Sequence, residues 1–236
     1  MVHGKTALSN QSSASRPFSR TLIMTAVEAE REAVLRGLNG AAGFDVRLAG
    51  VGPIAAAANT AAILTDGPPP IPAWDLVISA GIGGGFTGAA EIGSVVMATM
   101  IIAADLGAES QEGFLSLEEL GFGSSRIAAE ATLTERWAKA AAAVGIPVCT
   151  APILTLSTVT GSEATANLLS QRVPGAAAEA MEGYGVAMAA HNLQLPVLEI
   201  RAISNTVGPR QRELWKIKDA LLALEQACSL LPEVLH

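Results

Sequence analysis

From residue 21 onward, short runs dense in Val, Ile and Leu alternate with longer Ala-rich stretches. Apolar runs of this length, bounded by Gly, Pro and polar residues, predict strands buried on both faces, and the Ala-rich stretches predict the helices that cover them. Strands are expected at 22–27, 45–49, 76–80, 94–103, 148–157, 176–180 and 197–203. Helices are expected to begin near Glu28, Pro53, Thr134, Ser162, Glu182 and Arg210, several with an acid, Ser or Pro where a helix start favours one. Strand and helix in turn predict an α/β architecture with a largely parallel sheet. The longest apolar stretch, 92–104, is bounded by Glu91 and Asp105 and falls short of the roughly 20 residues a spanning helix needs, so it reads as a buried strand and no membrane is expected.

Two segments break the rhythm. The run 67–72, Gly-Pro-Pro-Pro-Ile-Pro, reads as a stiff surface connection without chemistry. The stretch 105–125 has no sustained period and is rich in acids and glycines, which suggests a lid or a substrate-facing excursion. Residues 1–20 are polar and lack an apolar core, so they read as a mobile tail and not as a secretory signal, leaving 21–236 as one domain.

Composition narrows the function. Half of the 236 residues are apolar and 16% are charged, as expected of a folded chain. The net charge of −7, with Lys and Arg scattered, offers no basic stripe, so nucleic acid is not an expected partner. Cys149 and Cys228 lie far apart with no Cys/His cluster, which argues against a metal site and for a reducing, cytoplasmic compartment. His3 lies in the tail and His236 is the last residue, while His191 reads as a structural histidine on a helix. No Ser-His-Asp set can be assembled and G-x-S-x-G is absent, so covalent catalysis is disfavoured.

Ligands of open α/β sheets bind beyond the carboxyl ends of the strands, so the residues following each strand carry the candidate chemistry. The first strand runs into Glu28, Glu30 and Glu32 on the opening turns of a helix, where acids commonly do no more than meet the helix dipole. The third enters Gly81-Ile82-Gly83-Gly84-Gly85, read as a loop bare enough for a flat ligand to lie on its backbone. Gly50-Val51-Gly52-Pro53 reads as a tight strand-to-helix turn. The sixth strand ends at Met181 and Glu182, again consistent with simple capping. The seventh carries Glu199 and Arg201 within an apolar run, followed by Asn205, and buried charges of that kind require a partner or a polar site. Carboxylates, one arginine, an amide and a glycine-rich floor suit cleavage of a glycosidic bond.

At these strand ends the chain resembles the nucleoside phosphorylase and nucleosidase superfamily, and within it the futalosine hydrolases. The resemblance rests on AVEAE at 26–30, SAGIGGGF at 79–86, TVTGSEATA at 158–166, EAMEGYGVA at 179–187 and EIRAISNTVGPR at 199–210. It implies a single-domain three-layer αβα sandwich around a mixed, largely parallel central sheet. It implies hydrolysis of the bond between ribose and hypoxanthine in futalosine, a step of menaquinone biosynthesis, with no cofactor. Among its implied roles, Glu30 activates water, Glu182 binds the ribose hydroxyls, Arg201 holds the water and orients the carboxylate, and Met181 packs on the ribose. Asn205 stands where adenine-cleaving relatives carry Asp, and an amide can donate to O6 and accept from a protonated N7, as a 6-oxopurine requires. The superfamily's Glu-Met-Glu triplet is Ala180-Met181-Glu182 here, with Glu179 one place earlier.

Gly81, Ile82, Gly83 and Gly84 are expected to line the base pocket together with Val159. A helix starting at Arg210 is expected to close it, with Arg210, Arg212, Trp215 and Lys216 meeting the 5′ aromatic carboxylate. A homodimer or higher homo-oligomer follows from the same resemblance. The alternatives at this point are a purine nucleoside phosphorylase, a nucleosidase of the methylthioadenosine/adenosylhomocysteine type, and a non-catalytic nucleoside-binding domain.

Overall fold

The computed structural model describes residues 18–67 and 72–235. The expectations for most of the tail, including His3, for 68–71 of the proline run and for His236 lie outside the described residues. Residues 18–20, read as part of the tail, are tied down: the Ser19 and Arg20 N–H groups donate to Asp75 at 3.0 and 2.9 Å, and Phe18 packs on the core.

The first half of the chain builds a parallel wing. β1 (Thr21–Thr25), buried throughout, lies between β2 (Phe44–Leu48) and β3 (Leu76–Gly85) and runs parallel to both. α1 (Glu28–Leu38) and α2 (Pro53–Thr65) make the crossovers. On the other side of β3 lies β10 (Val197–Thr206), parallel to it. β10 then pairs antiparallel with β4 (Val95–Ala103), and β4 pairs parallel with β8 (Val148–Thr155). β8 pairs parallel with the short β9 (Ala178–Ala180), which returns antiparallel onto Gly84 and Gly85 of β3. The sheet is mixed and largely parallel, and its later strands curl into a ring that starts and ends on β3.

The glycines make that closure possible. Residues 81–85 are not a loop, as the sequence suggested, but the second half of β3. A Cβ at Gly83 would stand 2.7 Å from the Glu179 carbonyl oxygen, and one at Gly85 would stand 2.2 Å from that of Ala90. Backbone approaches this close admit no side chain.

α2 packs on α6 (Gly183–Asn192), and α1 packs on α7 (Ile217–Ser229). These pairs cover opposite faces of the sheet, giving the three layers. Trp137 of α4 (Ala131–Ala143) is fully buried, and its indole N–H donates to the Ala227 carbonyl of α7 at 3.1 Å. α4 begins three residues before Thr134, because the Glu130 side chain caps it by accepting from the Leu133 N–H at 2.6 Å.

The excursion has structure of its own. β5 (Gly107–Ser110) and β6 (Gly113–Ser116) form a hairpin that leads into the single turn α3 (Leu117–Leu120), and β7 (Arg126–Ala128) then pairs with β4. Two expectations shift further. The strand expected at 176–180 is shortened to Ala178–Ala180, and no helix begins at Arg210. Instead residues 207–216 form a loop pinned at both ends, Val207 N–H to the Gly85 carbonyl at 2.8 Å and Lys216 N–H to the Ser204 carbonyl at 2.8 Å. One 3-10 turn at Arg212–Leu214 precedes α7. Among the described residues no helix is long and apolar enough to cross a membrane.

Candidate active site

Glu30 is the third residue of α1 and is 3% exposed. Its Oε2 accepts the N–H groups of Ala26 and Val27 at 2.9 and 3.3 Å, and its Oε1 accepts that of Ile82 at 2.9 Å. Burial pushes its pKa up; Arg201 and the Ile82 N–H oppose the shift and Glu182 adds to it, leaving the carboxyl above its ordinary value of 4.5.

Arg201 organises the acids. It is buried in β10, and its guanidinium is gripped along every edge. Nε donates to Glu199 Oε1 at 2.9 Å, Nη2 to Ser79 Oγ at 2.9 Å, and Nη1 to Glu182 Oε2 at 3.3 Å and to the Ile82 carbonyl at 3.5 Å. Glu182 Oε1 accepts the Gly52 N–H at 3.2 Å. Glu182 occupies the N-cap position of α6 yet makes no capping hydrogen bond, so its side chain is turned to Arg201 instead. Burial disfavours the Arg201 cation, but Glu199, Glu182 and Glu30 more than restore it and hold its pKa above the ordinary value. Gly81 is the spacer of this cluster: a Cβ there would fall 2.6 Å from Glu30 Oε1 and 2.7 Å from Arg201 Nη1.

A cavity of about 170 Å³ opens on this cluster. Glu30, Met181 and Glu182 line it beside Ala26, Val27 and Ile82. Gly83, Gly84, Val159, Glu179, Ser204 and Asn205 line it further along β3, and the pinned loop contributes Trp215. The pairing of β10 with β3 slips between Ile203 and Asn205, and this bulge re-aims Asn205 into the cavity. Asn205 Oδ1 lies 2.8 Å from the Ser204 hydroxyl, and Nδ2 donates to the Thr206 carbonyl at 3.1 Å. The amide keeps a second N–H and a second lone pair for a ligand.

The fold thus brings Glu30, Ile82, Gly83, Gly84, Val159, Met181, Glu182, Asn205 and Trp215 to one cavity, with Arg201 behind Glu182. Gly81 does not line it, and Arg210 is exposed outside it, its guanidinium 5.6 Å from the centre of the Trp215 ring. Gly52, Ser79 and Ser204 also serve the site, although the sequence marks Gly52 only as a turn residue and gives the two serines no role. Their contributions are a backbone N–H and small hydroxyls, which carry no pattern of their own. Among the described residues no cluster of His, Cys, Asp and Glu could hold a metal ion.

The chain matches the model of the phosphorylase superfamily over residues 26–236. It is 48% identical over 234 residues to a futalosine hydrolase of Streptomyces coelicolor, covering 91% of this chain and 96% of the relative. The chain belongs to the futalosine hydrolase family of the phosphorylase superfamily. A second member, from Acidothermus cellulolyticus, is 43% identical over 225 residues, with 90% of each chain covered. Among solved structures, a 5′-methylthioadenosine/S-adenosylhomocysteine nucleosidase from Neisseria meningitidis superposes with a TM-score of 0.77 at 20% identity, over 92% of this chain and 98% of that one. Futalosine hydrolase of Helicobacter pylori superposes with a TM-score of 0.74 at 14% identity, over 92% and 97% of the two chains. Membership places the chain among the N-glycosyl hydrolases, and the superpositions speak for the shared fold.

Proposed function

We propose that this chain hydrolyses the N-glycosidic bond of futalosine, releasing hypoxanthine and dehypoxanthine futalosine within menaquinone biosynthesis. The observation that carries the reading is the meeting of Glu30 and Glu182 on one cavity, with Arg201 joined to Glu182 and packed against Glu30 across Gly81.

Cleavage of a ribosyl–purine bond builds positive charge on the sugar ring, and acids at its rim stabilise that charge. Glu182 accepts from the ribose hydroxyls, an interaction that strengthens as the ring becomes cationic. Glu30 takes the proton of the attacking water, for which its raised pKa brings it nearer to neutrality than a free glutamate. Arg201, buried behind Glu182, fixes that carboxylate, and Met181 packs on the ribose. Water bonds to C1′ as the C1′–N9 bond breaks, Glu30 passes the water proton on to solvent and the departing base takes a proton from solvent at N7. Asn205 donates to O6 and accepts from that N7–H, while the backbone of 82–84 and Val159 flank the base. Trp215, with Arg210 stacked near it, faces the aromatic carboxylate at the 5′ end.

A phosphorylase would need cations for its nucleophile. Here Arg31 is engaged by Glu28 at 2.7 Å and by the Val46 carbonyl at 3.1 Å, and Arg47 is engaged by Asp45 at 2.8 Å, which favours water. Incubation with futalosine in phosphate-free buffer should release free hypoxanthine, and Glu30→Gln or Glu182→Gln should lower kcat roughly a hundredfold or more. Cleavage that requires phosphate and yields a ribose 1-phosphate product would reverse the assignment.

The active form is read as a homodimer. A second, apolar cavity of about 550 Å³, lined by Ile54, Leu106, Tyr184 and Met188 among others, lies next to the Gly52 turn that holds Glu182. Ile54 is 84% exposed there and Val51 57%, a surface suited to a second copy. A cytoplasmic location fits the free thiols of Cys149 and Cys228.

A further inference from the structure

The cavity holds an acid that the chemistry above leaves unused. Glu179 is 4% exposed on β9 and lines the cavity. One residue holds both of its oxygens: the Thr160 N–H donates to Oε1 at 3.0 Å and the Thr160 hydroxyl to Oε2 at 2.5 Å. Two donors fix the plane of the carboxylate and leave each oxygen a lone pair to offer. Burial pushes its pKa up, and the two Thr160 hydrogen bonds pull against that without cancelling it.

Its position relative to the sugar-facing acids is set by β3. Glu30 meets the strand at the Ile82 N–H, whereas Glu179 and Asn205 meet it at Gly84. A Cβ placed on Gly84 would stand 3.2 Å from Asn205 Nδ2 and 3.5 Å from Glu179 Cγ, so amide and carboxylate flank one bare stretch of wall. Two residues along a strand are roughly 7 Å, about the reach from a ribose to the far edge of its base.

We propose that Glu179 is a specificity-determining residue of this site, accepting the N1–H of a 6-oxopurine while Asn205 engages the neighbouring O6 and N7. The assignment rests on the futalosine reading for its substrate but not for its geometry. Hypoxanthine carries a proton at N1, where adenine carries a lone pair. A carboxylate facing N1 therefore gains a hydrogen bond with the first and meets lone pair with lone pair in the second. Glu179→Gln keeps the volume and can still bond Thr160, yet can turn an N–H toward N1.

The test compares kcat/KM for futalosine and its 6-amino analogue in the wild type and in Glu179→Gln. The ratio should fall by roughly ten- to hundredfold in the variant, with unchanged thermal stability. Calorimetry of the wild-type chain with hypoxanthine and 1-methylhypoxanthine reads the same contact without turnover or substitution, and hypoxanthine should bind at least about tenfold tighter. An unchanged ratio in a folded variant overturns the assignment, as does equal affinity for the two bases. Absence of any base release from futalosine by the wild type strikes instead at the proposed function, and the calorimetry then decides the role of Glu179 alone.

Discussion

Glu30 spends one carboxylate oxygen on the N–H groups that open its own helix and turns the other to the Ile82 N–H across the cavity wall. The structural and the functional meaning of an acid in a first helical turn therefore hold together at this residue. Because its pKa lies above 4.5 and the proposed role needs the ionised form, activity should fade as pH drops through that raised value. The acid limb of kcat/KM measured against pH should accordingly sit above 4.5, and a limb below that point would argue against Glu30 as the base.

Glu199 is the other telling side chain. It is fully buried, one oxygen bonds Arg201, and the second finds no partner, while Gly183 makes room for it: a Cβ there would stand 2.2 Å from both oxygens. Glu199→Ala leaves a buried guanidinium short of one counter-charge and should cost about 3–5 kcal/mol in denaturant unfolding. Glu199→Gln keeps an acceptor for Nε and should cost clearly less. Charges alternating through an apolar strand announced this pair in the sequence. Thr160, which sets the plane of Glu179, left no such trace, because a lone hydroxyl is ordinary anywhere.

At the scale of elements, apolar runs located every strand of the main sheet except the short β7, and an acid, Pro or Ser located the starts of α1, α2, α6 and the helix Glu163–Arg172, whereas α3 and α7 were not foreseen. The discrepancies have particular causes. Glycine is a poor strand former in isolation, so the second half of β3 looked like a loop; pairing with β10 and β9 decides otherwise. The bulge at Ser204 depends on a register between two strands that are distant along the chain. The 105–125 excursion folds around polar contacts instead of an apolar stripe. Glu118 accepts from Ser124 Oγ at 2.9 Å and from the Ser125 N–H at 2.8 Å. Although burial works against it, these bonds and its own backbone N–H hold the Glu118 pKa at about 2. A depressed acid stabilises its surroundings above the unfolded pKa and ceases to do so as the folded pKa is crossed from above. Hydrogen exchange of the α3 turn should thus be pH-independent in its protection above about 4.5 and should lose protection between 4.5 and about 2. Protection unchanged down to pH 2 would mean that these bonds do not order the turn.

At the scale of the whole molecule, the dimer reading predicts a solution mass of about twice the 24.1 kDa of one chain by light scattering. Ile54→Asp places a charge on the apolar face and should shift the protein toward single chains with lower activity. A wild type that stays single at working concentrations would remove this reading. Within one chain, the ring of strands is joined at its narrowest place by β9, three residues long, which carries Glu179 and delivers Glu182 to the cavity. Loosening it by mild heat or denaturant would carry Glu179 and Glu182 away from Glu30 and Arg201, which α1, β3 and β10 hold in place. Such a protein fails in sequence, losing its chemistry before its shape.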